Sequence, residues 1–166
     1  MSIQLADAPT SEGQTRAIFL PIVTTVEGPS PVAEFERLMI TDPRQQRTLT
    51  YSHALNVAAA RRAEGLANGG DPWGHVDAAG RTPNEYARQA CCRLPVYYAV
   101  QGNNVESLVA GTADAGVAFA ALAASPKHAE HLFGLGWFGH QQHFGLAMAA
   151  GGEYGWYWVI MIGLCQ

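Results

Sequence analysis

The sequence predicts a three-layer α/β/α sandwich in which a small antiparallel sheet lies between helices. Three observations carry this prediction. Several segments combine helical periodicity with capping residues, two β-rich segments flank Gly151-Gly152 near the C-terminus, and the length of 166 residues suits one domain. We expect residues 1–30 to form an N-terminal arm and residues 31–166 to form the domain.

Helical segments alternate with glycine and proline breaks from Val32 onward. Ser52 is a suitable N-cap for the longest segment, and Thr82-Pro83-Asn84-Glu85 has the form of a capping box with proline at the first helical position. The predicted helices are Val32 to the Asp42-Pro43 stop, Ser52 to Asn68, Thr82 to about Cys92, residues 112 to 124, and a short helix that begins at Ser125.

The second predicted helix is amphipathic. Leu55, Ala59 and Leu66 share one face and are expected in the core. Arg62 is expected on a different, polar face, together with the neighbouring charged residues.

Strands are predicted where β-branched and aromatic residues cluster. His143 to Ala149 and Tyr154 to Ile162 flank Gly151-Gly152 and predict a hairpin. Val96 to Val100 is predicted as a further strand. Helices on both sides of such a sheet give three layers.

An earlier segment, Ala17 to Val26, also has strand composition. Pro21 restricts it to a sheet edge or to an extended docking segment. Because these ten mostly apolar residues precede the first predicted helix, they need cover from water. We expect them to dock on a sheet edge, either of their own domain or of a neighbouring subunit, and the second case would support self-assembly.

Composition excludes two classes of partner. The formal net charge is -4 and the ten lysines and arginines are scattered, so the basic patch of a nucleic-acid-binding protein is missing. No stretch approaches the roughly 20 apolar residues of a membrane span. Charged residues make up only 14%, which is low for a soluble cytosolic protein and favours an extracellular or cell-surface location.

The three cysteines cannot all pair within one chain. Cys91 and Cys92 are adjacent and poorly placed to bridge each other. Cys165 is therefore the natural partner of either one in an oxidising environment. The alternative is that all three are buried thiols that pack as small hydrophobic residues.

Five short motifs occur in a fixed order along the chain. They are a first helix followed by an alanine-rich helix, then Gly74-His75 before an Asp77-Ala78-Ala79-Gly80 turn, then Gly102-Asn103-Asn104-Val105, then Ser125-Pro126-Lys127-His128 at the start of a helix, and a final Trp156-Tyr157-Trp158-Val159 strand. From about Pro31 to Gly163 this order resembles the CAP superfamily, which includes cysteine-rich secretory proteins, insect venom antigens and plant pathogenesis-related proteins. The resemblance implies the same sandwich fold, as in bacterial SCP-like extracellular domains.

The resemblance also implies a cleft in which His75 and His128 face each other. The family usually carries a glutamate where this chain has Asn103, so the first acidic position is missing. Glu106 lies three residues further on and reaches the cleft only if the chain bends after Asn104, because residues three apart in a straight strand point to opposite faces. His75 and His128 are candidate ligands of zinc or another divalent metal. The alternative, which we favour without the family's glutamate, is a pair of hydrogen-bonded histidines with no metal.

Two further histidines lie near these motifs. His131 shares a helix with His128, and we interpret it as structural because neighbours three apart on a helix are common. His143 lies near the position where eukaryotic relatives carry their second cleft histidine, so it is a candidate third member of the cleft. A role in turn capping, or an exposed position, is the alternative for His143.

The function predicted from these features is a binding or structural one, without turnover, for a small apolar ligand or a protein partner. No nucleophile elbow, phosphate-binding loop or His-Glu-x-x-His motif is present in the sequence. One alternative is a metal-dependent hydrolase with His75 and His128 as ligands and Glu106 as base or third ligand. Another is a subunit of an extracellular surface polymer. The leading hypothesis needs no cofactor, and the hydrolase alternative needs the metal.

Overall fold

The computed structural model describes residues 28–166. The expected strand over residues 17–26 lies outside the described residues, as does most of the expected N-terminal arm. Within the described part, no helix is long and apolar enough to cross a membrane.

Residues 28–166 form five α-helices, and four of them begin at a capping side chain. Ser30, Ser52 and Asp114 each accept a hydrogen bond from a first-turn backbone N–H, and Thr82 and Glu85 form the capping box. The helices are α1 (Pro31–Thr41), α2 (His53–Ala67), α3 (Pro83–Gln89), α4 (Ala115–Ala124) and α5 (Pro126–Phe133), and a 3₁₀ helix follows over Gly136–His140. The predicted positions of all five helices are confirmed to within a few residues, which is the usual uncertainty of helix ends.

The sheet formed by the described residues has four strands in the order β1-β3-β4-β2, where β1 is Thr50–Tyr51, β2 is Glu106–Ala110, β3 is His143–Gly151 and β4 is Gly155–Gly163. The predicted hairpin is β3 and β4, which pair antiparallel from His143 and Gly163 to Gly151 and Gly155. β2 adds antiparallel to β4. The two-residue β1 joins β3 in parallel, so the sheet is mixed and not wholly antiparallel as expected.

Strand β4 shows why the fold has three layers. Its side chains alternate between the two faces of the sheet, as strand geometry requires. Tyr157, Val159 and Met161 pack with α2 and α3 on one face. Trp158, Ile160 and Ile162 pack with α1, α4 and α5 on the other. The α/β/α sandwich predicted from the sequence is therefore confirmed.

The predicted strand Val96 to Val100 is wrong. This segment is a series of turns, in which the Tyr98 backbone N–H donates to the carbonyl of Pro95. Side chains of α3 and its N-cap donate hydrogen bonds to backbone carbonyls that would otherwise be available to a neighbouring strand. The side chain of Asn84 donates to the carbonyl of Ala99, and the Thr82 hydroxyl donates to the carbonyl of Val100. Local side-chain hydrogen bonds thus outweigh the strand composition of this segment. The strand forms instead at Glu106–Ala110.

A disulfide between Cys92 and Cys165 ties the segment after α3 to the residues after β4, with the two Cα atoms 5.0 Å apart. Cys91 is the free cysteine and is exposed. The two cysteines are 73 positions apart in the sequence, and both pack with the core cluster that contains residues of α2 and α3.

Candidate functional site

A cavity of about 330 Å³ opens where the first turn of α5, the start of β2 and the loop after α2 meet. His75, Asn103, Glu106 and His128, four of the residues singled out from the sequence, all line it. His143 does not. It lies at the start of β3, where its Nδ1 accepts a hydrogen bond from the backbone N–H of Cys165 at 3.2 Å.

The central contact of the cavity joins His75 to Glu106. Nδ1 of His75 is 2.9 Å from Oε1 of Glu106. An ionised carboxylate only accepts hydrogen bonds, so Nδ1 of His75 then donates to it. The side chain of His75 is 41% exposed and that of Glu106 is fully buried. The carboxylate therefore fixes the orientation of a ring that solvent can still reach.

Asn103 explains how Glu106 reaches the cavity. Its side-chain oxygen accepts from the backbone N–H of Glu106 at 2.9 Å, and its side-chain nitrogen donates to the Glu106 carbonyl at 3.1 Å. These contacts bend the chain just before β2 begins. The bend on which the position of Glu106 depends is thus present, and Asn103 makes it.

Arg62 completes the site and was not predicted from the sequence. It is fully buried. One of its terminal nitrogens donates to Asp71 at 2.7 Å and the other donates to the Gly74 carbonyl, beside His75. Its Nε lies 3.8 Å from Oε2 of Glu106. Arg62 therefore connects α2, the His75 loop and the buried carboxylate.

A sequence signal for Arg62 exists. Leu55, Ala59, Arg62 and Leu66 follow at intervals of four, three and four residues, which places all four on one face of a helix. The prediction that Arg62 lies on the polar face of α2 is therefore wrong. A charge at an apolar position is unusual and indicates a buried partner.

The loop that carries His75 is fixed at a second point. Asp77 accepts hydrogen bonds from the backbone N–H groups of Ala79 and Arg81 and from the hydroxyl of Tyr86. Burial acts to raise the pKa of Asp77, but these bonds and the Arg81 guanidinium outweigh it and leave the pKa lowered. The Asp77-to-Gly80 turn therefore holds the end of the His75 loop against α3.

His128 lies on the first turn of α5, and its Nδ1 is 3.0 Å from the hydroxyl oxygen of Ser125. Burial lowers its pKa, and the nearby His75 lowers it further. His128 is therefore neutral at pH 7. No protein partner of its Nε2 occurs among the described hydrogen bonds.

His131 also lines the cavity, but both of its ring nitrogens make hydrogen bonds within the protein, so its role is structural. Its Nε2 lies 3.2 Å from the carbonyl of Ile162, so that nitrogen carries the proton. Nδ1 then accepts from the Ser107 hydroxyl at 2.8 Å. Burial lowers the pKa of His131 to about 3, and the neutral ring joins α5 to both β2 and β4.

The CAP resemblance implies a metal in this cavity. His75 and His128 offer two imidazole nitrogens of the required kind, but Glu106 is directed to His75 and Arg62. Within residues 28–166 no three His, Cys, Asp or Glu side chains are grouped to hold a metal ion. A catalytic zinc site usually has three protein ligands. The described residues do not complete that set, so we derive no reaction step through a metal.

Comparisons with known proteins identify the fold. No family model matches the sequence, and no curated protein matches it. Among solved structures, an outer surface protein of Borrelia burgdorferi is similar with a TM-score of 0.54 and 18% identity over 82% of this chain and 87% of that one. An extracellular protein of Bacillus anthracis that contains an SCP domain is similar with a TM-score of 0.59 and 13% identity, over 81% of this chain and 40% of that one. The chain thus has an SCP-like fold, in agreement with the resemblance drawn from its motifs.

Proposed function

We propose that this protein is an extracellular binding module, without turnover, whose ligand occupies the cavity between His75 and His128. The observation that carries the proposal is that His75, Asn104 and His128 each use only part of their hydrogen-bonding capacity within the protein, while all three line one open cavity. Groups of this kind, held by different elements around a cavity, are typical of a small-molecule site.

The lining favours a polar ligand. Phe138 is the one apolar side chain among the described residues that line the cavity. The small apolar ligand considered from the sequence would leave the exposed histidine and amide groups without partners, at a cost in free energy. We therefore place a polar ligand in the cavity.

An extracellular location is supported by two observations. The Cys92–Cys165 disulfide is typical of exported proteins. The two similar structures are described as an outer surface protein and an extracellular protein.

The binding proposal is tested by ligand-observed NMR with a fragment library of neutral polar, anionic and apolar compounds. We expect polar fragments to bind, to compete with one another, and to remain chemically unchanged after incubation. Lys127→Trp puts an indole at the edge of the cavity and should abolish binding. Glu130→Trp, at an exposed position on the same helix that does not line the cavity, is the control and should leave binding intact. Fragments that bind equally well to the Lys127→Trp variant would contradict the proposal.

A metal-dependent hydrolase remains the second candidate, because one observation favours it. Metal-binding histidines commonly donate their second nitrogen to a carboxylate, and His75 has this arrangement with Glu106. The test is elemental analysis of protein purified without chelators or metal-affinity resin. A hydrolase of this kind should contain about one metal ion per chain, and both His75→Ala and His128→Ala should lose it, whereas His53→Ala should keep it. Metal-free protein that also fails to bind added zinc eliminates this candidate.

A further inference from the structure

We propose that the ligand of the cavity carries a carboxylate group and that Lys127 binds it. This inference rests on the proposed binding function and specifies the chemistry of the ligand. It follows from which groups around the cavity still lack partners once the contacts within the protein are counted.

Lys127 is the only lysine in the chain. It lies on the first turn of α5, is exposed, and lines the cavity. The ion pairs of the described residues involve arginines and His75, and Lys127 takes part in none of them. Its positive charge is therefore available to a ligand at the cavity edge.

Asn104 provides a neutral donor beside this charge. Its side-chain oxygen accepts from Nδ2 of Asn84 at 2.8 Å, which fixes the orientation of the amide. The Nδ2 group of Asn104 has no acceptor among the described residues, and Asn104 lines the same cavity. A ligand that presents acceptor oxygens would satisfy this amide.

The first turn of α5 adds to the donor character of this side of the cavity. First-turn backbone N–H groups have no acceptor within their own helix. Ser125 does not cap them, because its hydroxyl lies against the ring of His128 instead. The N–H groups near Lys127 thus favour an anion together with the ammonium group and the Asn104 amide.

Glu106 decides which anion fits. Its carboxylate also lines the cavity, and it shares the Arg62 charge with Asp71. A dianion such as phosphate would be repelled by this carboxylate, and Lys127 would be the one positively charged residue of the described lining not already in an ion pair. A carboxylate has a single negative charge and two acceptor oxygens, which matches one ammonium group and neighbouring neutral donors. The geometry therefore favours a monocarboxylate over phosphate.

The experiment uses the full chain and follows Lys127 directly. Reductive methylation with ¹³C-formaldehyde labels the amine of Lys127 and the N-terminal amine and preserves the positive charge. Acetate, acetamide and inorganic phosphate are titrated at constant ionic strength, with chloride as the balancing anion. We expect acetate to shift the Lys127 signal and the Asn104 amide signal in ¹H–¹⁵N spectra saturably, and to bind more tightly than acetamide or phosphate.

Two variants complete the test. Lys127→Gln should weaken acetate binding by up to about fivefold, the upper end of the range expected for an exposed ion pair. Arg37→Gln removes an exposed charge from α1 at a residue that does not line the cavity, and it should leave the affinity unchanged. Unchanged acetate affinity in Lys127→Gln, or tighter binding of phosphate than of acetate, would overturn the inference.

The acetamide titration separates this inference from the proposed function. If acetamide and acetate shift the Asn104 and His75 signals with equal affinity, the cavity binds small polar molecules and only the carboxylate inference fails. If the fragment library also gives no ligand that Lys127→Trp blocks, the binding function itself fails.

Discussion

Arg62 and Glu106 lie buried side by side, with Nε of the arginine 3.8 Å from Oε2 of the glutamate. The two atoms are too far apart to share a hydrogen bond, and neither has a hydrogen-bond partner among the described residues. Each side chain makes its strong contacts elsewhere, Arg62 to Asp71 and Glu106 to His75. The guanidinium is therefore the centre of a buried polar network in a helix whose other inward residues are apolar.

We predict that Arg62→Met strongly destabilises the protein. Methionine keeps much of the volume, but Asp71 and the Gly74 carbonyl lose their hydrogen-bond donor, and Glu106 loses the positive charge beside it. Removing one partner of a buried ion pair costs about 3 to 5 kcal/mol. Urea unfolding measures the change in the free energy of unfolding, and Arg61→Met, at an exposed neighbouring position, is the matched control. A loss below about 1 kcal/mol for Arg62→Met would show that the network does not stabilise the fold.

The buried His131 makes stability depend on pH. Burial lowers its pKa from 6.5 to about 3, so the folded state binds fewer protons than the unfolded state between these values. The contribution of His131 is therefore complete above pH 6.5 and is lost as the pH falls toward 3. Between pH 7 and pH 5 the loss is about 2 kcal/mol, because each unit below the ordinary pKa costs about 1.4 kcal/mol.

The measurement compares variants, because burial also raises the pKa of Glu106 and thus favours the folded state at lower pH. His131→Leu should be less stable than the wild type at pH 7, where it leaves Ser107 and Ile162 without their partner. Between pH 7 and pH 5 its free energy of unfolding should fall by about 2 kcal/mol less than that of the wild type. His53→Asn, at an exposed position, should keep the wild-type dependence. Identical pH profiles for His131→Leu and the wild type would refute the assignment.

The disulfide gives a third prediction. Protein from an oxidising compartment should show one reactive thiol per chain when denatured without reductant, since Cys91 is free and Cys92 pairs with Cys165. Cys165→Ser should lower the free energy of unfolding by about 2 to 5 kcal/mol, and Cys91→Ser should change it little. Three free thiols in protein isolated from its native environment would argue against the bridge.

The sequence predicted the helices and the hairpin well because their signals are local. Caps such as Ser52 and the aromatic and β-branched composition of β4 depend only on neighbouring residues. The strand predicted over residues 96–100 is wrong because the side chains of Asn84 and Thr82, which lie earlier in the chain, donate hydrogen bonds to carbonyls of this segment. No local pattern reports such a contact.

The candidate site was predictable only in part. His75 and His128 were placed together because their motifs resemble a known family, and the structure has both on one cavity. The role of Asn103 depends on hydrogen bonds between its side chain and the backbone of Glu106, which the sequence alone does not show. Arg62 was missed because its charge was taken as evidence of exposure, although its helical position matched the apolar face.

The last prediction concerns the apolar segment Ala17 to Val26, which precedes the described residues. The sheet offers an edge at β1, where both Thr50 and Tyr51 are exposed. An extended segment that pairs with such an edge gains main-chain hydrogen bonds as well as burial of apolar surface. If the edge belongs to a neighbouring subunit, repetition of the contact produces an open filament unless the rotation closes a ring. Deletion of residues 1–26 should then convert assembled protein into monomers that still melt cooperatively, as measured by light scattering and circular dichroism. A full-length protein that is already monomeric, and that loses stability on truncation, would show instead that the segment docks on its own domain.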